Sequence, residues 1–172
     1  MNNIIEELRS VANQFDFSQL EIVTDLFDRS DSKKFVGFAA GRMGFSLKAF
    51  MMRLNHLGYE SYMIGDTNFP RLDSSSIVFI SSSSGETESN ILYAKQAVQC
   101  GAKTVLFTSN ENSTLAGICE VIILYPTIDS NQLMKTVYEQ FTFLLFDYIS
   151  SQIVKKQNLD LNLIENNHSI SE

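Results

Sequence analysis

Five short stretches of this chain are apolar almost throughout: KFVGFA at 34–39, SYMI at 61–64, IVFIS at 77–81, KTVLFT at 103–108 and VIILY at 121–125. A strand with one face in water alternates apolar and polar residues. A strand that does not alternate must be covered on both faces. Helical stretches lie between and around these segments: 45–57, 87–100, a short one near 113–118, and a long one from about 134 to 154. Apolar strands interleaved with helices specify an α/β fold, a parallel sheet joined by right-handed crossovers. Ahead of the first strand, Ile4, Leu8, Val11 and Phe15 recur at helical spacing. A second helix follows with Ser18 as its cap and Leu20, Val23, Leu26 and Phe27 inward. Within 87–100, Ile91, Leu92, Ala94 and Val98 are expected to face the sheet.

No repeat or linker divides the chain, and 172 residues suffice for one buried core. The expectation is a single domain over 1–172, with N-terminal helices to residue 33, an α/β core over 34–126, and a helix and tail over 132–172. The formal net charge of −7 disfavours nucleic acid as a partner, because phosphate backbones attract basic surfaces. The two cysteines, Cys100 and Cys119, show no metal-type spacing, and Cys119 is expected to be buried and reduced, as in a cytoplasmic protein. The first ten residues, MNNIIEELRS, lack the basic start and greasy block of a signal peptide. The most apolar stretch, 141–146, is too short to cross a bilayer, so no membrane partner is expected.

The long last helix carries Val137, Phe141, Leu144, Leu145 and Tyr148, and also Phe143, Phe146 and Ile149. A helix apolar nearly all round is buried on more than one face. In a domain of this size a partner subunit supplies the second face, so a homo-oligomer is expected; the competing reading is a central helix of a monomeric core.

The stretch SSSSGET at 81–87 follows the strand at 77–81 and precedes a helix. In an open α/β sheet, ligands bind outside the carboxyl ends of the strands. Free N–H groups and the helix dipole make such a turn an anion site. Hydroxyls add donors without bulk, and Gly85 admits an unusual backbone angle. This equipment suits a phosphate monoester. Plain capping by Ser84 or Thr87, with Glu88 in the first turn, is the simpler alternative, but it needs only one of these hydroxyls. A second turn, AAGRMG at 39–44, follows the first strand at the same edge. Gly41 and Gly44 fall one glycine short of a dinucleotide fingerprint, so a nucleotide site is the weaker reading. Arg42 is placed to reach whatever the serine loop holds.

The run AGRMGFSLKAFMMRLNHLGYESYMIGDTNFP followed by SSSSGET resembles the sugar isomerase (SIS) domain family. Within it, YEQFTFLLFDYI at 138–149 and the closing HSISE resemble the Phe-Glu-Gln helix and C-terminal His-x-x-x-Glu of the 6-phospho-3-hexuloisomerases. The resemblance implies a three-layer α/β/α sandwich with a five-stranded parallel sheet, a tetramer with active sites shared between subunits, and ketose isomerisation of a phosphosugar without metal or cofactor. It maps phosphate binding to Ser82, Ser84 and Thr87, with Ser83 where a glycine is usual, alongside Gly41 and Arg42. Moving a carbonyl by one carbon requires a base to take the adjacent proton, and a carboxylate in apolar surroundings suits that task. The resemblance assigns it to Glu139, with His168 assisting from the tail. On composition alone these would be a surface glutamate and an idle histidine. Glu86 would repel phosphate if it pointed inward, so it is expected to turn away and orient the loop or reach sugar hydroxyls through water. His56 is explained as well by a packed helix-end role as by a ligand role, and Arg53 is expected to pair structurally and not to touch substrate.

Three departures bear on the function. Met43 stands where the family has serine; if that hydroxyl held phosphate, its loss would cost about 1.5–3 kcal/mol of binding. Asp66 replaces a usual glutamate, and LMKT at 133–136 replaces Pro-Met-Gly-Ser, with Lys135 as a substitute phosphate contact or a solvated residue at the helix start. The alternative to an isomerase is therefore a sugar-phosphate-sensing module that binds without turnover.

Overall fold

A computed structural model of the chain describes residues 1–28, 33–160, 162, 164 and 167. The apolar stretches form β1 (Lys34–Phe38), β2 (Glu60–Met63), β3 (Ser76–Ser81), β4 (Lys103–Thr108) and β5 (Val121–Leu124). They make one parallel sheet in the order β2-β1-β3-β4-β5. Helices surround it, among them α1 (Asn2–Gln14), α2 (Leu20–Asp25), α3 (Gly41–His56), α4 (Glu88–Gln99) and α5 (Val137–Gln157).

The strand pleat sends Phe35, Ile77, Phe79, Val105 and Phe107 into one core, together with buried residues of α1, α2, α3 and α5. That layer is rich in aromatic rings. Phe27 stacks on Phe35 at 4.5 Å, and Phe50 of α3 stacks on Phe146 of α5 at 4.6 Å. The alternate residues Val36, Phe38, Val78, Ile80 and Leu106 form a second core with Ala94 and Ala97 of α4 and with Leu115. Both faces of the sheet are covered, which is why its strands do not alternate. No helix among the described residues is long and apolar enough to cross a membrane.

Several local expectations are corrected. Asp16, not Ser18, caps the second helical segment; its carboxylate accepts the Ser18 N–H at 3.0 Å and starts a 3-10 turn, Phe17–Gln19, ahead of α2. The α3 helix begins at Gly41, so the glycine turn is its first turn. Leu92 and Val98 of α4 are 54% and 47% exposed; Asn90, Ala94 and Ala97 form its buried stripe instead. Residues 113–118 make turns and no helix. The long helix starts at Val137 after a 3-10 turn, Leu133–Lys135. Cys119 is half-buried, and burial pushes its thiol up to about 11, so it stays protonated.

Candidate functional site

In this strand order the chain leaves β1 toward β2 on one side and returns to β3 on the other. The crevice at the carboxyl ends of β1 and β3 is therefore the switch point where ligands bind in open α/β sheets. Two loops meet that edge, 82–87 from β3 and 39–41 from β1.

The β3 loop is held from three sides. The buried Ser82 shares a hydrogen bond of 3.0 Å between its Oγ and Thr87 Oγ1, and its Oγ also accepts the Gly85 N–H at 3.2 Å. Ser83 Oγ pairs with Ser109 Oγ at 2.9 Å, while the Ser83 carbonyl accepts Thr108 Oγ1 at 3.1 Å. The Asn110 amide donates to the Ser84 carbonyl at 3.1 Å. Gly85 has φ +70°, and a Cβ there would lie 2.0 Å from Ser113 Oγ. Glu86 turns away from the loop's concave side, accepting the Thr114 N–H at 2.7 Å. That bond holds its carboxyl below the usual carboxylate range.

Thr87 occupies the N-cap position of α4, yet its hydroxyl does not cap the helix, because it is turned to Ser82. Among the described residues, the backbone N–H groups of Ser83, Ser84, Thr87, Glu88 and Ser89 have no acceptor. Ser84 Oγ is exposed beside them and accepts only the Glu86 N–H, at 3.2 Å. Unpaired donors at a helix start, ringed by hydroxyls and positive by the helix dipole, are the kind of groups that anion sites use. The capping alternative is thus not what the hydroxyls do.

At the β1 loop, Gly41 opens α3 with φ +59°. Arg42 does not extend toward the serines; its Nε is ion-paired with Glu139 Oε2 in the first turn of α5. The Glu139 side chain is 20% exposed and that of Arg42 68%. Ser46 Oγ donates to the Glu139 carbonyl at 3.1 Å. Arg42, Glu139 and Gln140 share a cavity of about 470 Å³ with Phe45, Phe143 and Leu144. Gln140 Oε1 is buried there and has no hydrogen-bond partner among the described residues. The pair sets a carboxylate and a cation side by side against aliphatic and aromatic walls. Asp66 accepts the Met63 N–H at 2.8 Å, closing the turn after β2, and lines with Gly41 and Lys48 a smaller cavity of about 280 Å³.

Two other expectations are settled by position. Met43 is buried in the core, its sulfur 4.0 Å from Thr142 Oγ1, so the residue faces α5 and not the turn. His56 is 5% exposed beside Arg53, about 22 Å along α3 from Gly41, and is a packed helix-end residue. His168 lies outside the described residues. The sequence reading missed Thr108, Ser109 and Asn110, which brace the serine loop; the signal was their place at the end of β4, on the same edge. It also missed Ser46, which lies in a helix and carries no motif, and gave no role to Gln140, although that residue follows Glu139 in the stretch matched to the Phe-Glu-Gln helix.

The SIS domain family model matches residues 30–148. A Bacillus subtilis protein named 3-hexulose-6-phosphate isomerase is 30% identical over 139 residues, 76% of this chain and 75% of its own length. A Methanocaldococcus jannaschii protein of the same name is 29% identical over 168 residues, 97% of this chain and 92% of its own. A crystal structure of a Methanococcus jannaschii protein, described as inferring a 3-hexulose-6-phosphate isomerase function, superposes with a TM-score of 0.84 at 27% identity. The match covers 98% of this chain and 94% of that one.

Proposed function

Because the chain belongs to the SIS domain family, we propose that it is a phosphosugar ketose isomerase, converting hex-3-ulose 6-phosphate to fructose 6-phosphate. The observation that carries the proposal is the uncapped start of α4, where unpaired N–H groups sit among hydroxyls that decline to cap it. The names of the Bacillus subtilis and Methanocaldococcus jannaschii relatives support the choice of sugar.

In this reading the phosphate rests on the hydroxyls of Ser82, Ser84 and Thr87 and on the N–H groups at the start of α4. Ser83 and Glu86 hold the loop in shape, through Ser109 and Thr114 respectively. Glu139 takes the proton from carbon 2, next to the carbonyl at carbon 3. The electron pair forms the carbon 2–carbon 3 double bond of an enediolate, with negative charge on oxygen 3. Return of the proton to carbon 3, with transfer of the oxygen 2 hydroxyl proton to oxygen 3, leaves the carbonyl at carbon 2. Arg42 holds the Glu139 carboxylate in place between turnovers and stabilises the enediolate oxygen when substrate displaces the pair. His168 carries the proton between the oxygens. Gly41 and Asp66 shape the β1 side of the crevice. No metal or cofactor enters these steps. The chain acts as a homo-oligomer, a tetramer in which a neighbour completes each site.

The test is a coupled assay for fructose 6-phosphate together with thermal shifts by fructose 6-phosphate and by fructose. The phosphorylated sugar should raise Tm and the free sugar should not. Glu139→Gln should abolish turnover and keep the shift. Binding without turnover in the native assembly would instead make this a sugar-phosphate sensor, and an absent shift would remove the phosphate site.

A further inference from the structure

Two successive non-glycine residues, Met134 (φ 53°) and Lys135 (φ 57°), hold the left-handed backbone conformation that L side chains avoid. They belong to the 3-10 turn Leu133–Lys135, directly before α5. Leu133 and Met134 are 81% and 88% exposed, so side-chain packing does not offset the strain. Strained residues of this kind persist only where the surrounding structure over-determines them, and they cluster where a reactive group must be placed.

The restraint comes from α1. The Glu7 carboxylate accepts Ser130 Oγ at 2.6 Å, the Asn131 N–H at 3.0 Å and Gln132 Nε2 at 3.0 Å, one bond from each of three consecutive residues. On the other side of the turn, Thr136 donates its N–H and its Oγ1 to the Leu133 carbonyl, at 3.1 and 2.6 Å. The buried Tyr138 hydroxyl donates to the Pro126 carbonyl at 3.2 Å and accepts the Ile128 N–H at 3.2 Å. The turn is therefore stretched between a carboxylate on α1 and a tyrosine one residue before Glu139.

We propose that Glu7 is a positioning residue: by clamping 130–132 it holds the strained turn that sets where α5 begins, and so where Glu139 meets Arg42. This rests on the reading of Glu139 as the base. With the clamp removed, the turn relaxes, the first residues of α5 shift, and the carboxylate leaves its reacting position, while the serine loop on β3 is untouched. A displacement of about 1 Å at a catalytic group costs on the order of 100-fold in rate.

The experiment uses the full chain in its native assembly, with Glu7→Gln, which keeps the side chain's size and removes its charge. Hydrogen exchange should quicken across 130–140 and stay unchanged across 82–99. Turnover should fall about 10- to 100-fold with KM for the sugar phosphate within about twofold. Adding Lys135→Gly, which relieves one of the two strained positions while the turn keeps its conformation, should restore part of the lost kcat. Unchanged exchange at 130–140, or a loss carried by KM, or no rescue by the glycine, would each overturn the proposal. A wild-type protein that binds but does not turn over would sink the isomerase reading alone, and the exchange comparison would still decide the clamp.

Discussion

Gly85 and Glu86 show how much of the candidate site depends on single atoms. Gly85→Ala puts a Cβ 2.0 Å from Ser113 Oγ and 2.3 Å from Ser113 Cβ, at a φ of +70°. Rotating the serine side chain cannot relieve a clash with its own Cβ, so backbone must move. The expected loss is about 1–3 kcal/mol from the conformation alone, read by chemical denaturation, with a parallel loss of the thermal shift by fructose 6-phosphate. Stability unchanged within about 0.5 kcal/mol would mean that the loop is looser than its contacts imply. Glu86 makes a pH prediction. Its carboxyl is more acidic in the folded chain than in the unfolded one, because it accepts the Thr114 N–H. Such a group adds stability above its unfolded pKa, about 4.3, and that stability fades as pH falls through the lower folded value. Wild type should therefore exceed Glu86→Gln in Tm near neutrality, with the gap closing in acid. A constant gap from neutral to strongly acid solution would exclude the ionised form as the brace.

At the scale of elements, the strands were readable because burial on both faces leaves an uninterrupted apolar run, and each lies within a residue of its expected bounds. Helix starts were less readable. Gly41–Gly44 reads as a turn by composition, yet a helix's first turn needs no internal N–H acceptors and tolerates glycine. The α4 stripe was misplaced because small residues, Ala94 and Ala97, pack close to the sheet, while the larger Leu92 and Val98 remain outside. The serine loop was legible from its hydroxyls at a strand end. The Arg42–Glu139 pair was not, since its members are 97 residues apart in sequence and meet only because α3 and α5 pack together. The end of α5 offers a test of local geometry. Asn158 closes the helix in the left-handed conformation, φ 49° and ψ 48°. Glycine adopts that conformation without a Cβ penalty. Asn158→Gly should raise Tm by about 1–2 °C; a drop in a thermal melt would show that the asparagine side chain contributes more than the backbone does.

At the scale of the whole molecule, several of the exposed apolar side chains among the described residues lie together on the α1–α3–α5 layer. Phe45 is 76% exposed, Leu144 54%, Phe143 46% and Tyr148 41%. Phe45, Phe143 and Leu144 line one cavity, and Tyr148 meets Phe17 edge to face at 5.0 Å. Contiguous exposed patches of this kind mark interaction surfaces. The opposite face of α5 is already buried in the core, so the surplus apolar residues have no further internal role. The same cavity contains Arg42 and Glu139, which places the proposed reacting groups at the edge of the proposed subunit contact. A charge at the centre of the patch should separate the subunits. Leu144→Glu is expected to lower the mass seen by sedimentation, to make Tm depend less on protein concentration, and to reduce turnover by exposing the site to water. Leu144 sits on the exposed side of α5, so the protomer should still fold, which circular dichroism would verify. An unchanged mass, or a wild-type protein that sediments as a monomer at micromolar concentration, would leave the apolar face without a second copy of the chain to cover it.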